Sequence, residues 1–363
     1  MKDKNRFTSS RKLDHVRICI ESDVGRGDAG FSDIRLVHNA LPECDMAAID
    51  RRTRFLSHRF NSPLFISAMT GGHPDTRAIN ARLARAAERY GIGMGVGSQR
   101  AALEDPVLAD TFTVVREEAP KAFLVANLGA VQLRDHGTEW AEKAVEMIDA
   151  DAIAIHLNFL QEAIQPEGDH DARGCLEAIR ELCAGIRKPV LIKETGSGIS
   201  LMTAKACLGA GVAAIDVAGS GGTSWAAVES LRAGRGHSAG HREKSSLGED
   251  FGDWGIPTVV SLCEVLTTGS PVIASGGIRS GLDMAKALAI GADLCGVALP
   301  LLAPALESDE AVERVIDTFH RQLTVAMFLT GSAYIADLKK ARFFVTGKTR
   351  QMIGKDSPVR IRT

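Results

Sequence analysis

Residues 271–302 read PVIASGGIRSGLDMAKALAIGADLCGVALPLL and contain two short apolar runs separated by one amphipathic stretch. The runs PVIASGGI (271–278) and LCGVALPLL (294–302) have the length and apolar content of strands that are buried on both faces. Between them, LDMAKALAIGA (282–292) has the periodicity of a helix. This unit predicts two parallel strands joined by a crossover helix.

The same pattern recurs throughout the preceding sequence. Six further apolar runs are SPLFISAMTGG (62–72), IGMGVGSQR (92–100), AFLVANLGA (122–130), AIAIHLNF (152–159), PVLIKETG (189–196) and AAIDVAGSGG (213–222). Helical stretches such as AINARLARAAERYG (78–91) and TEWAEKAVEMID (138–149) lie between them. Eight strands alternating with helices favour an α/β fold of the closed (β/α)8 TIM barrel type over an open sheet, because closure leaves no exposed edge strand.

The length of the chain predicts one barrel with additional segments. A barrel needs roughly 250 residues, and the chain has 363. Residues 1–58 are rich in charge and precede the first strand, so we predict an N-terminal arm that wraps the barrel (59–363) and contributes basic residues to its mouth. Residues 229–255 are polar, glycine-rich and too long for an ordinary connection, which predicts a long, mobile lid loop after strand six.

Charge and cysteine usage indicate the class of protein. Lys and Arg total 43 against 45 Asp and Glu, and this net charge of −2 gives no general attraction to nucleic acid or to anionic membranes. The seven cysteines are scattered, with no CxxC pair, which favours reduced thiols in the cytoplasm. The sequence begins without an apolar signal region and has no run of about 18 apolar residues. We therefore expect neither secretion nor membrane insertion.

The turns after strands seven and eight indicate a phosphate site. Gly276 and Gly277 follow strand seven, and the short turn in CGVALPLL (295–302) follows strand eight. Backbone N–H groups at these positions, with a following helix N-terminus, can bind phosphate oxygens, and Arg279 adds a positive charge. The glycines alone could simply permit tight turns, but the paired arrangement favours a phosphate that belongs to a substrate or to a cofactor.

Other strand ends favour a planar cofactor. Strand one ends in SAMTGG (67–72), which offers small side chains and bare backbone. Lys193 ends strand five, where its cation could stabilise the N1/O2 edge of a reduced isoalloxazine. Asn127, Ser98 and Thr223 add hydrogen-bonding groups at other strand ends. Lys193 could instead form a Schiff base or a buried ion pair, but the set as a whole favours a flavin.

Strand four carries the motif HLNFLQE (156–162). Alternation places His156 and Asn158 on one face of the strand, with Gln161 and Glu162 just beyond its end. One carboxylate with amides and a histidine suits a Mg²⁺ ion that keeps water ligands and is shared with substrate phosphates, and Gln161 could reach a neutral carbon skeleton. The alternative, for each residue taken singly, is a core histidine and a solvated glutamate.

Two basic segments are candidates for binding an anionic substrate. They are RKLDH (11–15) in the arm and SQR (98–100) at the end of strand two. Arginine offers phosphate oxygens a two-pronged set of N–H donors, and lysine offers a point charge. An Arg-Lys pair near a terminus is by itself typical of solvated charge, so its interpretation depends on the other motifs.

Together these residues resemble the type 2 isopentenyl diphosphate isomerases along almost the whole chain. The motifs that carry the resemblance are RKLDH (11–15), SAMTGG (67–72), GVGSQR (95–100), NLG (127–129), HLNFLQE (156–162), IKETGSG (192–198), DVAGSGGTSW (216–225), SGGIRSG (275–281) and LTGSAYIADLKKARFFVTG (329–347). The resemblance implies a TIM-barrel enzyme that converts isopentenyl diphosphate into dimethylallyl diphosphate without net redox. It implies reduced FMN and Mg²⁺ as cofactors, NAD(P)H as the flavin reductant, and a homotetramer or homo-octamer.

The resemblance also implies roles for individual residues. Those implied around FMN are Ala68, Met69, Thr70, Ser98, Asn127, Lys193, Thr223, Gly276, Gly277, Ile278, Arg279, Ala298 and Leu299. Those implied around the substrate are Arg11, Lys12, His15, Ser98, Gln99, Arg100, His156, Asn158 and Gln161. Glu162 is the implied Mg²⁺ ligand, and the candidate catalytic residues are His156, Gln161 and Glu229.

Two of these positions leave alternatives open. Glu229 follows Trp225 at helical spacing, and a surface carboxylate of the lid is the other interpretation. Ala218 stands where many relatives have a serine near the flavin phosphate, a difference that would remove one hydrogen bond worth about 1 kcal/mol.

Three alternative functions remain for a barrel of this kind. An FMN-dependent 2-hydroxy acid oxidase or dehydrogenase needs a histidine base and a carboxylate-binding arginine after strand seven, and PVIASGGIRSG has no histidine. A purine-nucleotide dehydrogenase needs a cysteine after strand six, where the chain reads GSGGTSWAA (219–227). A non-catalytic flavin-binding protein would leave RKLDH, His156 and Glu162 without a role.

Overall fold

The computed structural model describes the backbone of residues 2–165, 167–234 and 239–353, together with the side chains in these ranges other than those of residues 2–11 and 239–244. The strands within this part of the chain are β1 (Ile34–Leu36), β2 (Thr53–Phe55), β3 (His58–Phe60), β4 (Leu64–Ile66), β5 (Gly93–Gly95), β6 (Leu124–Gly129), β7 (Ala152–Leu157), β8 (Val190–Glu194), β9 (Ala214–Asp216), β10 (Val272–Ser275), β11 (Leu294–Val297) and β12 (Phe343–Val345).

The helices in the same residues are α1 (Lys2–Glu21), α2 (Arg77–Tyr90), α3 (Arg100–Glu104), α4 (Asp110–Glu118), α5 (Ala130–His136), α6 (Thr138–Met147), α7 (Phe159–Ile164), α8 (Cys175–Gly185), α9 (Leu201–Gly209), α10 (Trp225–Gly234), α11 (Ala239–Asp250), α12 (Thr258–Leu266), α13 (Gly281–Ile290), α14 (Leu299–Glu307), α15 (Asp309–Leu329), α16 (Ile335–Leu338) and α17 (Gly347–Ile353). Short 3-10 helices span Phe31–Asp33, Met46–Ala48, Pro74–Thr76 and Pro106–Leu108.

Strands β4 to β11 form a closed parallel barrel, which confirms the predicted fold. Each of the eight apolar runs identified in the sequence contains one of these strands. The barrel closes where the last strand pairs with the first, with Cys295 opposite Leu64 and Val297 opposite Ile66. Because the strands are parallel, their carboxyl ends all meet at one face of the barrel.

Alternation along the strands divides the core into two layers. Phe65, Val125, Leu191 and Ile273 belong to an inner apolar cluster, whereas their neighbours along each strand belong to the large cluster beneath the surrounding helices. The β2–β3 hairpin adds Phe60 to the inner cluster, and its ring lies 5.4 Å from that of Phe123, just before β6. Aromatic packing therefore fills the amino end of the barrel and leaves the carboxyl end for a site.

The described residues of the predicted arm (1–58) pack against both ends of the barrel. Helix α1 packs on α3, α10 and α14 at the carboxyl end, and the segment after α1 is tied to the β9–α10 loop, where the backbone N–H of Ser224 donates to Val24 at 2.9 Å. Further along, β1 pairs antiparallel with β12, and the β2–β3 hairpin lies at the amino end. Helix α1 is thus the part of the arm that reaches the barrel mouth.

The predicted lid loop at 229–255 is wrong as secondary structure, because most of this segment is helical. Helices α10 and α11 pack against each other, and the Ser230 hydroxyl donates to the Ser245 carbonyl at 2.7 Å. Gly248 permits this approach, since a Cβ there would lie 2.7 Å from both the Ala226 carbonyl oxygen and Ser230 Cβ. Small and polar residues that read as loop in the sequence are instead the contact surface of a close helix pair. Residues 235–238, between the helices, lie outside the described residues.

The described helices include none that is both long enough and apolar enough to cross a membrane.

Candidate active site at the barrel mouth

A large cavity opens at the carboxyl ends of the barrel strands. Its empty space, including the part open to solvent, is about 1580 Å³. The predicted site residues that line it are Lys12, His15, Ala68, Met69, Thr70, Ser98, Arg100, Asn127, His156, Asn158, Gln161, Glu162, Lys193, Thr223, Gly276, Gly277, Ile278, Arg279, Ala298 and Leu299.

Three predicted residues are not among those that line the cavity. The Arg11 side chain lies outside the described residues. Gln99 points away from the cavity and is fully buried, donating to the Ala144 carbonyl at 2.8 Å and accepting from the Asn127 backbone N–H at 2.9 Å. This position corrects the prediction that Gln99 contacts the substrate: its side chain supports β6 from beneath. Glu229 is also fully buried, one layer behind the lining residues, so the surface-carboxylate alternative is excluded.

Helix α1 covers one side of the cavity with a single face. Lys12, His15, Val16 and Cys19 line the cavity, and their spacing of i, i+3, i+4 and i+7 places them on one side of a helix. Sequence reasoning identified the first two and missed Val16 and Cys19. Extending the helical period from RKLDH by one turn would have found them. The face is basic towards the N-terminus and apolar towards the C-terminus.

Glu229 connects α1 to the end of strand β7. One carboxylate oxygen accepts from His15 Nε2 at 2.9 Å and from Gln161 Nε2 at 3.0 Å, and the other accepts from Arg232 Nε at 2.7 Å. Burial raises the pKa of Glu229, but the opposing effects of His15, Arg232 and Gln161 outweigh it and lower the pKa to about 2. The carboxylate is therefore ionised at neutral pH and fixes the orientation of the Gln161 amide in the cavity wall.

His156 and Asn127 form a hydrogen-bonded pair on neighbouring strands. His156 Nδ1 lies 2.8 Å from Asn127 Oδ1, and the amide orientation is set because Asn127 Nδ2 donates to the Val96 carbonyl at 2.9 Å. Burial, with the positive charges of Lys12 and Lys193, lowers the pKa of His156 to about 3. The imidazole is therefore neutral, carries its proton on Nδ1 and keeps Nε2 as an acceptor.

Glu162 lies in a cluster of amide donors rather than in a closed metal cage. Its oxygens accept from Asn158 Nδ2 at 2.9 Å, from the Asp169 backbone N–H at 2.9 Å and from Gln165 Nε2. Among the described residues, no group of three or more His, Cys, Asp or Glu side chains could hold a metal ion. This donor set fits a Mg²⁺ ion only if phosphate and water oxygens complete its coordination. Gln165 also lines the cavity. It lies beyond the end of the HLNFLQE motif and was not predicted from the sequence.

The β10–α13 and β11–α14 turns form a cradle suited to a phosphate group. Gly276 and Gly277 have φ of 96° and 72°, and a Cβ on Gly277 would lie 2.5 Å from the Gly221 carbonyl oxygen. Within the described residues, the N–H groups of Gly277, Ile278 and Ala298 donate to no other group. Burial lowers the pKa of the nearby Arg279 guanidinium. Three free amides and a partly desolvated cation suit an anion.

The wall beside this cradle has polar atoms that lack partners. Ser67 Oγ and Thr70 Oγ1 are buried without a hydrogen bond in the described residues, and both residues line the cavity. A buried hydroxyl without a partner is costly, which indicates that a ligand supplies one. Ser67 could have been identified, since it begins the SAMTGG motif. The residues present therefore fit FMN, with its phosphate in the cradle and its ring along this wall.

Ala218 also lines the cavity, in an unusual backbone conformation. Its φ of 35° is in the left-handed region that L residues other than glycine, asparagine and aspartate seldom adopt. Such a conformation costs on the order of 1–3 kcal/mol unless the surroundings impose it. Here its carbonyl accepts from the Gly198 N–H at 3.1 Å, which ties the β9–α10 turn to the loop after β8.

The chain is similar in sequence to an FMN-dependent enzyme family and to named isomerases. The family model of FMN-dependent dehydrogenases matches residues 138–344. An isopentenyl-diphosphate delta-isomerase of Methanoregula boonei is 68% identical over 98% of this chain and 99% of that relative. Isomerases of the same name from Methanosarcina barkeri and Archaeoglobus fulgidus are 53% and 52% identical, over 96% and 95% of this chain and 95% and 98% of the relatives.

Solved structures with this fold include flavoprotein oxidases. A mandelate oxidase variant with a monooxide FMN adduct has a TM-score of 0.61 at 17% identity, over 88% of this chain and 90% of the oxidase. The same variant with 4-Br-2-hydroxy-methylphenylacetate has a TM-score of 0.62 at 17% identity, over 91% and 95% of the two chains. At this identity the likeness concerns the barrel alone.

Proposed function

The chain belongs to the isopentenyl-diphosphate delta-isomerase family and carries the FMN-dependent dehydrogenase domain, and from this we propose that it converts isopentenyl diphosphate into dimethylallyl diphosphate with reduced FMN and Mg²⁺ and without net redox. The observation that carries the proposal is a single cavity in which a phosphate cradle and an unsatisfied polar wall lie beside a second set of basic and amide side chains.

The FMN subsite is assigned to the cradle and the adjoining wall. Gly276–Arg279 and Ala298–Leu299 would hold the phosphate, while residues 68–70, Asn127, Ser98 and Thr223 would line the ring. Lys193 would lie at the ring edge that becomes negative on reduction. When bound, reduced FMN would supply an electron-rich ring to stabilise a cationic transition state and a position for proton exchange with the alkene.

The substrate subsite is assigned to α1, β5 and β7. Lys12 and Arg100 are cations at the cavity wall, and Arg11 is assigned with them from the sequence. Asn158 and Ser98 offer donors to the diphosphate. The neutral His156 would gain a proton beside the diphosphate, because a nearby negative charge raises the pKa of an imidazole. Glu162 would hold a Mg²⁺ ion, and the positive charge of that ion would offset the remaining charge of the diphosphate.

The chemistry requires a proton to be added at one carbon and another to be removed from its neighbour. An unactivated alkene is a weak base, so the reacting carbons must be oriented closely and shielded from water. Gln161, held by Glu229 at 3.0 Å, is the polar group assigned to the hydrocarbon. The apolar end of α1, with Val16 and Cys19, would keep water from the cation.

The remaining parts of the proposal concern the cellular setting. We expect NAD(P)H to serve only as the flavin reductant, the protein to act in the cytoplasm, and the chain to form a homotetramer or homo-octamer. Support for self-association comes from exposed apolar side chains near the end of α15, including Leu41, Leu329 and Tyr334, which are 73%, 40% and 58% exposed. Light scattering from the protein as it elutes from a size-exclusion column measures the mass of the assembly directly.

A solvent-isotope experiment tests the reaction. The flavin is reduced once with dithionite under anaerobic conditions, and isopentenyl diphosphate is supplied in deuterated water. We expect dimethylallyl diphosphate that carries solvent deuterium, over many turnovers per flavin. Loss of one reduced flavin per product would mean that the substrate is reduced, and an oxidoreductase would then replace the isomerase proposal. Product free of deuterium would contradict the proposed proton exchange, and failure to bind FMN would contradict the whole proposal. FMN binding without either reaction would leave the non-catalytic flavin protein.

A further inference from the structure

Three neighbouring barrel strands place a buried charge beneath the cavity. Lys193 on β8 is in register with Asp216 on β9, and its Nζ lies 3.6 Å from Asp216 Oδ2. Ser275, at the end of β10, donates its hydroxyl to Asp216 Oδ1. Lys193 and Ser275 line the cavity, whereas Asp216 is not among its lining residues.

Asp216 instead faces a small void in the interior of the barrel. Lys193 and Asn127 also line this void, with the apolar side chains of Phe65, Val125 and Leu191. The Asp216 side chain is 4% exposed and that of Lys193 is 13% exposed. A carboxylate in such surroundings is costly unless it is paired, and the charges of a pair act on each other more strongly there than in water.

The pairing of Lys193 with Asp216 affects how strongly the cavity wall stabilises a ligand that becomes negative on reduction. A lone lysine at the cavity wall would present a full positive charge to that ligand. A lysine with a carboxylate 3.6 Å behind it presents less positive charge, since the fields of the two groups oppose each other. The carboxylate therefore determines how much negative charge the wall can stabilise, without touching the ligand itself.

We propose that Asp216 is a positioning residue that balances the charge of Lys193 and so sets the midpoint potential of the flavin. The inference rests on the proposed FMN site. Ser275 keeps the carboxylate directed towards Lys193, and the Lys193 ammonium also donates to the Glu194 carbonyl at 2.9 Å, which fixes its position on the strand. The pair lowers the affinity of the wall for reduced flavin relative to an unbalanced lysine.

The test is an anaerobic potentiometric titration of the FMN-loaded protein, read from the flavin absorbance. Asp216→Asn should move the midpoint potential to more positive values, because the unopposed Lys193 stabilises the reduced flavin. Lys193→Met should move it to more negative values. Asp293→Asn is the matched control: this carboxylate also pairs with a lysine, Lys339 at 2.5 Å, but it lies at the amino end of the strands and should leave the potential unchanged.

Each single variant leaves one buried charge unpaired, whereas the double variant Lys193→Met/Asp216→Asn removes both charges. The double variant therefore still provides a test if a single variant fails to fold. Its potential should lie between those of the single variants and close to that of the wild type. A potential as negative as that of Lys193→Met, or an Asp216→Asn protein with the wild-type potential, would overturn this inference while leaving the proposed function intact. A wild-type protein that binds no FMN would overturn the proposed function and this inference with it.

Discussion

Gln161 Nε2 lies 3.0 Å from Glu229 Oε1, so the amide that lines the cavity is held by a carboxylate that is fully buried behind it. The amide nitrogen of Gln161 therefore donates to Glu229. The side-chain oxygen of Gln161 lies on the side of strand β7, 3.5 Å from Asn158 Nδ2. Two residues on different barrel units, 68 positions apart, thus act as one hydrogen-bonded group.

Gln161→Ala should slow isomerisation strongly while leaving the spectrum of the bound flavin unchanged. A positioned polar group that orients the reacting carbons or relays a proton contributes on the order of 10²–10⁴-fold to the rate. Pre-steady-state measurement of product formation, with the flavin absorbance as the control, checks this. A variant with normal kcat would remove Gln161 from the reaction.

The barrel could be predicted because its signal is repeated. Eight apolar runs each end in polar or small residues, and parallel strands bring those ends to one face, so the positions of Ser98, Asn127, His156 and Lys193 around one cavity follow from strand order alone. Polar residues that follow a strand can be assigned to the site even when the predicted strand boundary is wrong by a residue or two.

Side-chain direction in the turn after β5 could not be predicted in the same way. The backbone of Gln99 is no longer extended, with φ of −82° and ψ of 1°, and its side chain turns under β6 while Ser98 and Arg100 face the cavity. The helix pair after β9 was missed because glycine and serine favour loops in isolation, whereas Gly248 and Ser230 form a contact between α10 and α11 that only the folded chain reveals. Asp216, within a strand, could not be distinguished from a core residue.

Acid release of the cofactor should yield FMN and no FAD. The cradle formed by Gly277, Ile278 and Ala298 offers three free amides at one place, which suits a single terminal phosphate. The sequence shows no dinucleotide-binding strand-turn-helix with its glycine-rich turn. Chromatography against both standards decides between them, and a chromatogram with FAD alone would contradict the cradle assignment.

Lys12→Ala should raise the KM for isopentenyl diphosphate and leave FMN bound. Loss of a charge-assisted contact costs roughly 1.5–3 kcal/mol, or about 10- to 100-fold in affinity. The matched control is Arg54→Ala, which removes an exposed cation from the hairpin at the other end of the barrel and should change nothing. If Lys12→Ala keeps the wild-type KM, the basic face of α1 has a structural role only.

Glu162→Gln should raise the Mg²⁺ concentration needed for half-maximal rate, because the amide lacks the charge that a hard cation prefers. Removing metal with EDTA should abolish turnover in both proteins, and titrating Mg²⁺ back should separate their curves. Glu181→Gln, which changes an exposed glutamate on α8, is the control. An enzyme indifferent to EDTA and to Glu162→Gln would contradict the proposed metal role.

The His156 imidazole should make the stability of the resting protein depend on pH in mildly acidic solution. Burial and the charges of Lys12 and Lys193 lower its pKa from 6.5 to about 3 in the fold, so between these values the unfolded chain binds the proton more readily. The contribution of His156 is therefore present above pH 6.5 and lost as the pH falls towards 3.

Denaturant unfolding at a series of pH values should show this loss in the wild type and a shallower slope in His156→Asn. Replacing the exposed His136 is the control and should leave the slope unchanged. Added inorganic pyrophosphate should stabilise the wild type more at pH 5.5 than at pH 8, because a bound anion favours the protonated imidazole and reverses the penalty of burial. Equal stabilisation at the two pH values would mean that the diphosphate binds without His156.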